Sequence, residues 1–324
     1  MKAIVNIGCS QLVMQELPTP EPAANQVRIR TATCGISSTD LKALAQCPSK
    51  GFPRIPGHQW AGVVDAVGPG GDGALIGCRV VGSNVLSDGG RIGFEHPGGY
   101  GQYLLMERAS VYRLPESVDL GVATLVGPLA VCLRALNRLQ LRDTDNALIF
   151  GDGPRGLLML MLLRARGVAR VAIIGGRDAR LEMAPGLGAS LALDFHELGL
   201  PLGEKVRQRL GQFQTVIETS GAPVAVAAAL EVVEHRGQVL VQGDYGESRA
   251  DFAWDDFLHR ELSIVGNSTV VGALSEAVQT VAAGDLPLTR LVTHRFPADE
   301  FAEAMALIRA ERDDVKVVLD WSEA

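Results

Sequence analysis

Residues 147–156 read Ala147-Leu148-Ile149-Phe150-Gly151-Asp152-Gly153-Pro154-Arg155-Gly156, an apolar run that ends in the pattern G-x-G-x-x-G. The apolar run predicts a buried strand, and the apolar stretch from Leu157 to Arg166 predicts a helix. In such a unit the first glycine permits a tight turn. The second lets the backbone approach a pyrophosphate, and the third allows close helix–strand packing. N–H groups at the start of the helix then face the phosphates. The stretch predicts a dinucleotide-binding site.

Strand and helix patterns alternate on both sides of this unit, which predicts a parallel, doubly wound sheet. Further strands are expected at 170–174, 215–218 and 238–241, and a helix at 130–139. The first 115 residues instead contain short strands and Gly-rich turns, which favour a β-barrel-like or sandwich-like domain. After these, helices are expected at 274–283 and 301–309 and a strand at 316–319.

Composition excludes several classes of protein. A chain of 324 residues is long enough for two domains. The net charge of −7 and the aromatic content of 5% argue against a nucleic-acid partner. The sequence has no apolar run long enough to span a membrane and no signal peptide, so a cytoplasmic location is expected. Five scattered cysteines without a C-x-x-C pair suggest free thiols.

The end of the second strand of the dinucleotide fold selects between the two nicotinamide cofactors. A carboxylate there, which would hold a ribose 2′-hydroxyl, is missing, and the stretch reads Gly175-Gly176-Arg177 with Arg180 one turn later. Arg177 can pair bidentately with a 2′-phosphate. The alternative is that both arginines are solvated residues at a helix start, neutralised by Asp178. We favour phosphate recognition, and thus NADP(H) over NAD(H).

The order of motifs resembles that of the medium-chain dehydrogenase/reductase superfamily, the zinc-containing alcohol and polyol dehydrogenases and their zinc-free relatives. Besides the Gly-rich turn, the resemblance rests on CGISSTD at 34–40, GHQWAG at 57–62, GGYGQY at 98–103, GPLA at 127–130, ETSG at 218–221 and KVVL at 316–319. It implies an α/β fold in which a GroES-like β-barrel catalytic domain, residues 1–122 and 268–324, is interrupted by a Rossmann cofactor domain, residues 123–267. It also implies a homodimer or homotetramer.

The cofactor-binding residues expected from the turn, the strand end and the resemblance are Gly151, Gly153, Pro154, Arg155, Gly156, Gly175, Gly176, Arg177, Arg180 and Ser220.

The resemblance also raises the question of a metal, because zinc-dependent relatives place three ligands in these motifs. Ser37 stands where they have a thiolate, and Gln59 replaces the carboxylate beside His58. The third ligand of relatives is a Glu or a Cys at one of two positions, which hold Gly127 and Ala130 here. A catalytic zinc site needs three protein ligands, so we predict a zinc-free member. The open alternative is an unorthodox site that combines His58 with Glu95 or His96.

Without a metal, a hydrogen-bond donor must stabilise the oxygen that becomes negative. The candidate catalytic residues are Ser37, Thr39, Asp40 and His58, with Asp40 expected to hydrogen-bond the histidine. In relatives the hydroxyl at Thr39 begins a proton relay, and Lys42 stands where many have a histidine. Each has a structural alternative. Thr39-Asp40 can act as a helix N-cap, His58 can be a structural residue hydrogen-bonded to Asp40, and Lys42 can be a solvated residue at a helix start. Tyr100 is a further donor candidate, with packing as its alternative role.

Three functions remain open. The first is reversible reduction of a ketone or aldehyde by NADPH, with Thr39 or His58 as proton donor. The second is reduction of an activated C=C bond, as in zinc-free alkene and quinone reductases. Those enzymes commonly have asparagine near the Ser37 position and lack His58, which favours the carbonyl reaction. The third is a nucleotide-binding scaffold without catalysis.

Overall fold

A computed structural model describes residues 1–45, 54–142, 145–268, 272–310 and 314–322. The strands are β1 Lys2–Gly8, β2 Gln11–Glu16, β3 Gln26–Ile36, β4 Gln59–Val67, β5 Arg79–Gly82, β6 Tyr103–Glu107, β7 Val111–Arg113, β8 Asn146–Phe150, β9 Arg170–Gly175, β10 Leu191–Asp194, β11 Phe213–Glu218, β12 Val233–Val241, β13 Ser263–Gly266, β14 Val292–Pro297 and β15 Lys316–Asp320.

The helices are α1 Ser38–Ala45, α2 Leu120–Ala123, α3 Val126–Leu136, α4 Pro154–Ala165, α5 Asp178–Met183, α6 Phe195–Leu198, α7 Leu202–Leu210, α8 Pro223–Val232, α9 Trp254–His259, α10 Leu274–Ala283 and α11 Phe301–Arg309. Short 3₁₀ turns lie at Gly73–Leu75, Arg108–Ser110, Ala184–Leu187, Leu288–Leu291 and Ala298–Glu300. Across the described ranges, no helix combines the length and apolar character that a bilayer crossing requires.

The chain forms two compact units, residues 1–130 with 273–324, and residues 131–272. The expected boundaries, after residues 122 and 267, lie a few residues earlier. The first boundary falls within helix α3, where no loop or change of composition marks it.

The first unit is built on a seven-stranded sheet in the order β14-β15-β3-β4-β5-β7, in which β6 also pairs with β3. In β3 the buried residues Val27, Ile29 and Thr31 alternate with more exposed ones, as a strand with one face on a core requires. The C-terminal end of β3 lies between β4 and β15, with Gly35 opposite Gln59 on one side and Val318 on the other. This register brings three distant segments together around residues 34–37.

The second unit contains a six-stranded parallel sheet in the order β10-β9-β8-β11-β12-β13. Counted along this unit, the order is 3-2-1-4-5-6, that of a Rossmann dinucleotide-binding fold. Strand β8 lies beside β11, where the strand order reverses, and its residues 147–150 are buried. The predicted fold class is confirmed: a GroES-like unit accompanies a parallel-sheet Rossmann unit.

The cysteines differ from expectation at one position. Cys34, Cys78 and Cys132 are free thiols, but Cys9 is disulfide-bonded. The prediction of free thiols is therefore wrong for Cys9, because the absence of a C-x-x-C pair excludes only a bond between close neighbours in sequence. Cys47 lies outside the described residues.

Candidate active site

The Gly-rich turn between β8 and α4 has the shape that a pyrophosphate requires. Gly151 has φ +111°, a left-handed conformation that favours glycine. A Cβ on Gly156 would lie 1.9 Å from the carbonyl oxygen of Gly151, so only glycine fits there. A Cβ on Gly153 would meet only the Nη1 of Arg180, at 4.0 Å, so this position is open to a ligand.

The start of α4 supplies backbone donors at the same place. Its N-cap is Gly153, which has no side chain to cap the helix, and Pro154 occupies the first turn. Uncapped N–H groups at the start of a twelve-residue helix form an anion site. Arg155 is directed elsewhere, because its Nη1 donates to the carbonyl of Gln242 at 2.6 Å. The turn therefore fits a dinucleotide pyrophosphate.

The end of β9 does carry a carboxylate, although the local sequence shows none. Oδ2 of Asp152, from the Gly-rich turn, accepts hydrogen bonds from the backbone N–H of Gly176 at 3.0 Å and of Arg177 at 2.9 Å. The expectation that no carboxylate lies at this strand end is therefore wrong, because Asp152 reaches it from the Gly-rich turn. Arg177 is the N-cap of α5, and Arg180 is buried beside the turn, so Arg180 is not a solvated residue.

Ser220 lies in a hydrogen-bonded turn after β11. Its hydroxyl and backbone N–H both donate to the buried carboxylate of Glu218, and the hydroxyl of Tyr245 donates to the same carboxylate. Burial and this carboxylate raise the pKa of Tyr245. The network fixes the loops that follow β11 and β12, and only the turn residue Ser220 was expected from the sequence.

In the first unit, Asp40 organises the candidate catalytic residues. Its Oδ1 lies 2.7 Å from Nδ1 of His58, and its Oδ2 accepts the backbone N–H and the hydroxyl of Ser37 at 2.9 and 2.8 Å. Burial acts to raise the carboxyl pKa of Asp40, but the attraction of His58, the hydrogen bonds and nearby Lys316 outweigh it and lower that pKa. The carboxylate of Asp40 is therefore ionised where it pairs with His58.

A buried cation, which sequence reasoning missed, lies beside this group. Lys316 is 2% exposed, and its Nζ donates to the carbonyl of Ile36 at 3.2 Å and to Oε1 of Gln59. Burial lowers the pKa of Lys316 to about 8, although Asp40 acts in the opposite direction. A Cβ on Gly35 would lie 2.3 Å from Nζ, so the glycine makes the room that Lys316 occupies.

The remaining candidates are placed less centrally. Thr39 and Lys42 are exposed on α1, and no described contact brings either to His58. The alternative that Thr39-Asp40 is the N-cap is wrong, because α1 begins at Ser38 and the hydroxyl of Ser37 accepts the backbone N–H of Asp40. Tyr100 is fully buried, and within the described residues its hydroxyl makes no hydrogen bond to a candidate catalytic residue. His58 instead lines a small pocket with side chains that the sequence did not single out, Asn84 and Thr124.

The described ranges contain no group of three or more His, Cys, Asp or Glu side chains arranged to hold a metal. Ser37 donates to Asp40, and the Gln59 oxygen accepts from Lys316. Gly127 lines the His58 pocket but has no side chain to offer.

The residues of the unorthodox alternative are engaged in other pairs. Glu95 forms a salt bridge with Arg91 at 3.0 Å, and this arginine lowers the carboxyl pKa of Glu95 to about 2. Nε2 of His96 lies 2.8 Å from Oδ2 of Asp88. Within the part of the chain described, the arrangement does not fit a catalytic zinc.

A GroES-like unit and a Rossmann unit with an intact Gly-rich turn define an oxidoreductase of the alcohol dehydrogenase type that uses a nicotinamide cofactor. The chain matches the family described as Glucose dehydrogenase C-terminus over residues 121–321 and the Alcohol dehydrogenase GroES-like domain over residues 23–116. It belongs to the medium-chain dehydrogenase/reductase superfamily.

Known relatives agree with this assignment. The chain is 25% identical to the starvation-sensing protein RspB of Escherichia coli over 100% of both chains. It is 28% identical to an L-threonine 3-dehydrogenase of Saccharopolyspora erythraea over 99% of both. Identity to a sorbitol dehydrogenase of Halalkalibacterium halodurans is 25%, over 98% of this chain and 99% of the relative.

Solved structures show the same fold. A short chain alcohol dehydrogenase (rspB) of E. coli, complexed with NADH, has a TM-score of 0.91 at 24% identity and covers 99% of both chains. A Sinorhizobium meliloti dehydrogenase bound to NADP has a TM-score of 0.90 at 23% identity and covers 98% of both.

Proposed function

We propose that this protein is an NADP(H)-dependent oxidoreductase that interconverts a carbonyl compound and its alcohol without zinc. The observation that carries the proposal is the chain of hydrogen bonds from Ser37 through buried Asp40 to His58, whose ring lines a pocket. Two of the relatives, an L-threonine 3-dehydrogenase and a sorbitol dehydrogenase, are by name dehydrogenases of hydroxyl-bearing compounds, which supports the reaction class.

The nicotinamide, when bound, supplies or removes the hydride, and the protein manages the proton. With Nδ1–H donating to Asp40, Nε2 of His58 is the atom left for the substrate. During carbonyl reduction, protonated Nε2 donates its proton to the oxygen that becomes negative as hydride reaches the carbon. During alcohol oxidation, neutral Nε2 accepts the hydroxyl proton. Asp40 stabilises the charged ring in both directions.

The preference for NADP(H) rests on Arg177 at the end of β9, which can pair with a 2′-phosphate. The test is titration with NADPH and NADH, followed by fluorescence, for the wild type and Arg177→Ala. We expect tighter NADPH binding that is lost in the variant. Tighter NADH binding that Arg177→Ala leaves unchanged would contradict the assignment. Turnover of an enone, without turnover of any ketone or alcohol, would contradict the carbonyl reaction.

We further propose that the chain forms a homodimer or homotetramer. Strand β13 ends the described sheet of the second unit, and its Ile264 is 42% exposed. Near it along the chain, Trp254 and Leu258 on α9 are 70% and 67% exposed. Exposed apolar side chains on an edge strand, and on the helix that precedes it along the chain, support pairing between copies.

A further inference from the structure

The end of β9 brings opposite charges to the place where the two nicotinamide cofactors differ. Asp152 reaches this edge from the Gly-rich turn and accepts the N–H groups of Gly176 and Arg177. A Cβ on Gly175 would lie 2.4 Å from this carboxyl group, which shows how closely the carboxylate lies against the strand end. Because the N–H groups of Gly176 and Arg177 both donate to Asp152, neither is available to another anion in this arrangement.

The same edge has an aromatic surface beside it. The ring of Phe195 lies against Gly176, 2.4 Å from where a Cβ would be, and contacts the ring of His196 with centroids 3.8 Å apart and planes tilted by 35°. Phe195 is 44% exposed, so its ring is accessible to a ligand. An aromatic surface next to backbone donors fits the adenosine half of a dinucleotide, whose purine stacks on such rings.

We propose that Asp152 is a specificity-determining residue that opposes the 2′-phosphate and counteracts Arg177. A carboxylate at the end of the second strand ordinarily accepts from a ribose 2′-hydroxyl. Here the carboxylate comes from the Gly-rich turn, so it disfavours a second anion and remains able to accept from the hydroxyl of NAD(H). The inference rests on the proposed binding of a nicotinamide dinucleotide at this turn. Arg177 therefore favours NADP(H), and Asp152 reduces the size of that preference over NAD(H).

Asp152→Asn tests this, because it removes the charge and keeps an oxygen that can accept the two N–H groups. Dissociation constants for NADPH and NADH, and for 2′,5′-ADP and 5′-AMP as fragments without the nicotinamide, are measured by fluorescence and calorimetry. We expect the ratio of the NADH constant to the NADPH constant to rise about fivefold to tenfold. The ratio of the 5′-AMP constant to the 2′,5′-ADP constant should rise by the same factor. Asp255→Asn, which removes an exposed charge on α9 of the same unit, is the matched control and should leave both ratios unchanged.

An unchanged ratio in Asp152→Asn, with both cofactors weakened equally, would overturn the proposal and leave Asp152 a structural residue only. Asp152→Ser, which keeps a shorter acceptor, provides the same measurement if the asparagine variant does not fold. Failure of the NADP(H) assignment is distinguishable, because it appears in the wild-type ratio and in Arg177→Ala. The role of Asp152 is read from the change in the ratio, whichever cofactor the wild type prefers.

Discussion

Nδ1 of His58 lies 2.7 Å from Oδ1 of Asp40, and the carboxylate is buried while the imidazole reaches a pocket. This pairing fixes which ring nitrogen carries the proton, as the orienting carboxylate of a hydrolytic triad does. In this superfamily a histidine at this position can also bind metal. Here the histidine pairs with a buried carboxylate that also accepts from the hydroxyl of Ser37, and our proposed proton transfer is based on this arrangement.

Asp40→Asn should lower kcat about 10²-fold to 10⁴-fold with little change in KM, because the amide favours the wrong tautomer of His58. Ser37→Ala should have a smaller effect, since the backbone N–H of residue 37 still donates to Asp40. Steady-state kinetics in both directions measure this. A change confined to KM would show that the pair binds substrate instead of moving a proton.

Lys316 should make stability depend on pH above neutrality. Its pKa is about 8 in the fold, compared with 10.5 ordinarily, so the unfolded chain binds more protons between these values. The free energy of unfolding should therefore rise as pH increases from about 8 to about 10. Urea unfolding at several pH values measures it. Lys316→Met should remove this rise.

Gln59→Glu is the matched variant for this effect. A carboxylate beside Nζ would favour the charged lysine and return its pKa towards the ordinary value, so the rise in stability between pH 8 and pH 10 should flatten. A pH profile that is unchanged in Gln59→Glu and in Lys316→Met would show that another group is responsible.

Removal of metal should leave activity intact. His58 is the one conventional ligand among the described positions that the zinc-dependent relatives use, and a single imidazole does not hold zinc tightly. We expect dialysis against a strong chelator to leave kcat unchanged and elemental analysis to find less than stoichiometric zinc. Stoichiometric zinc, with activity lost on chelation and restored by added zinc, would be the opposite result.

Much of the fold was predictable because its signals are local. The apolar run at 147–150 became β8, and the helix expected from 274 to 283 is α10. Apolar periodicity reports burial, so it predicts that an element exists better than where it begins. The helix expected at 130–139 is α3 Val126–Leu136, and the strand expected at 238–241 begins five residues earlier, at Val233. The Gly-rich turn was predictable for the same reason, since its chemistry lies within six consecutive residues.

The charges of both sites were harder to predict, because they meet through long-range pairing. Lys316 on β15 reaches Gln59 on β4 because β3 lies between these strands and has a glycine, Gly35, at the crossing point. Its sequence context, a strand beginning Lys-Val-Val-Leu, shows nothing of its burial. Asp152 occupies a variable position of the G-x-G-x-x-G pattern, and only the packing of β8 against β9 brings it to residue 176.

The assembly state can be tested at the open edge of the second unit. Ile264→Lys places a charge on β13, and edge charges oppose pairing between sheets. We expect light scattering to show a dimer or tetramer for the wild type and a smaller species for the variant. Ile76→Lys changes an exposed apolar residue of the other unit and should leave the mass unchanged. A wild-type monomer at micromolar concentration would contradict the proposal.

The two glycines of the turn should separate folding from cofactor binding. Gly156→Ala places a methyl group 1.9 Å from a backbone oxygen, which must move, so a loss of about 2–4 kcal/mol in the free energy of unfolding is expected.

Gly153→Ala adds the same methyl group where only a guanidinium nitrogen lies within 4.0 Å, at a φ of −68° that alanine adopts readily. This variant should keep the wild-type melting temperature and lose at least tenfold in affinity for NADPH, because its methyl group faces the pyrophosphate. Calorimetric melting and fluorescence titration measure the two effects separately. Unchanged affinity in Gly153→Ala would show that the cofactor does not approach this turn.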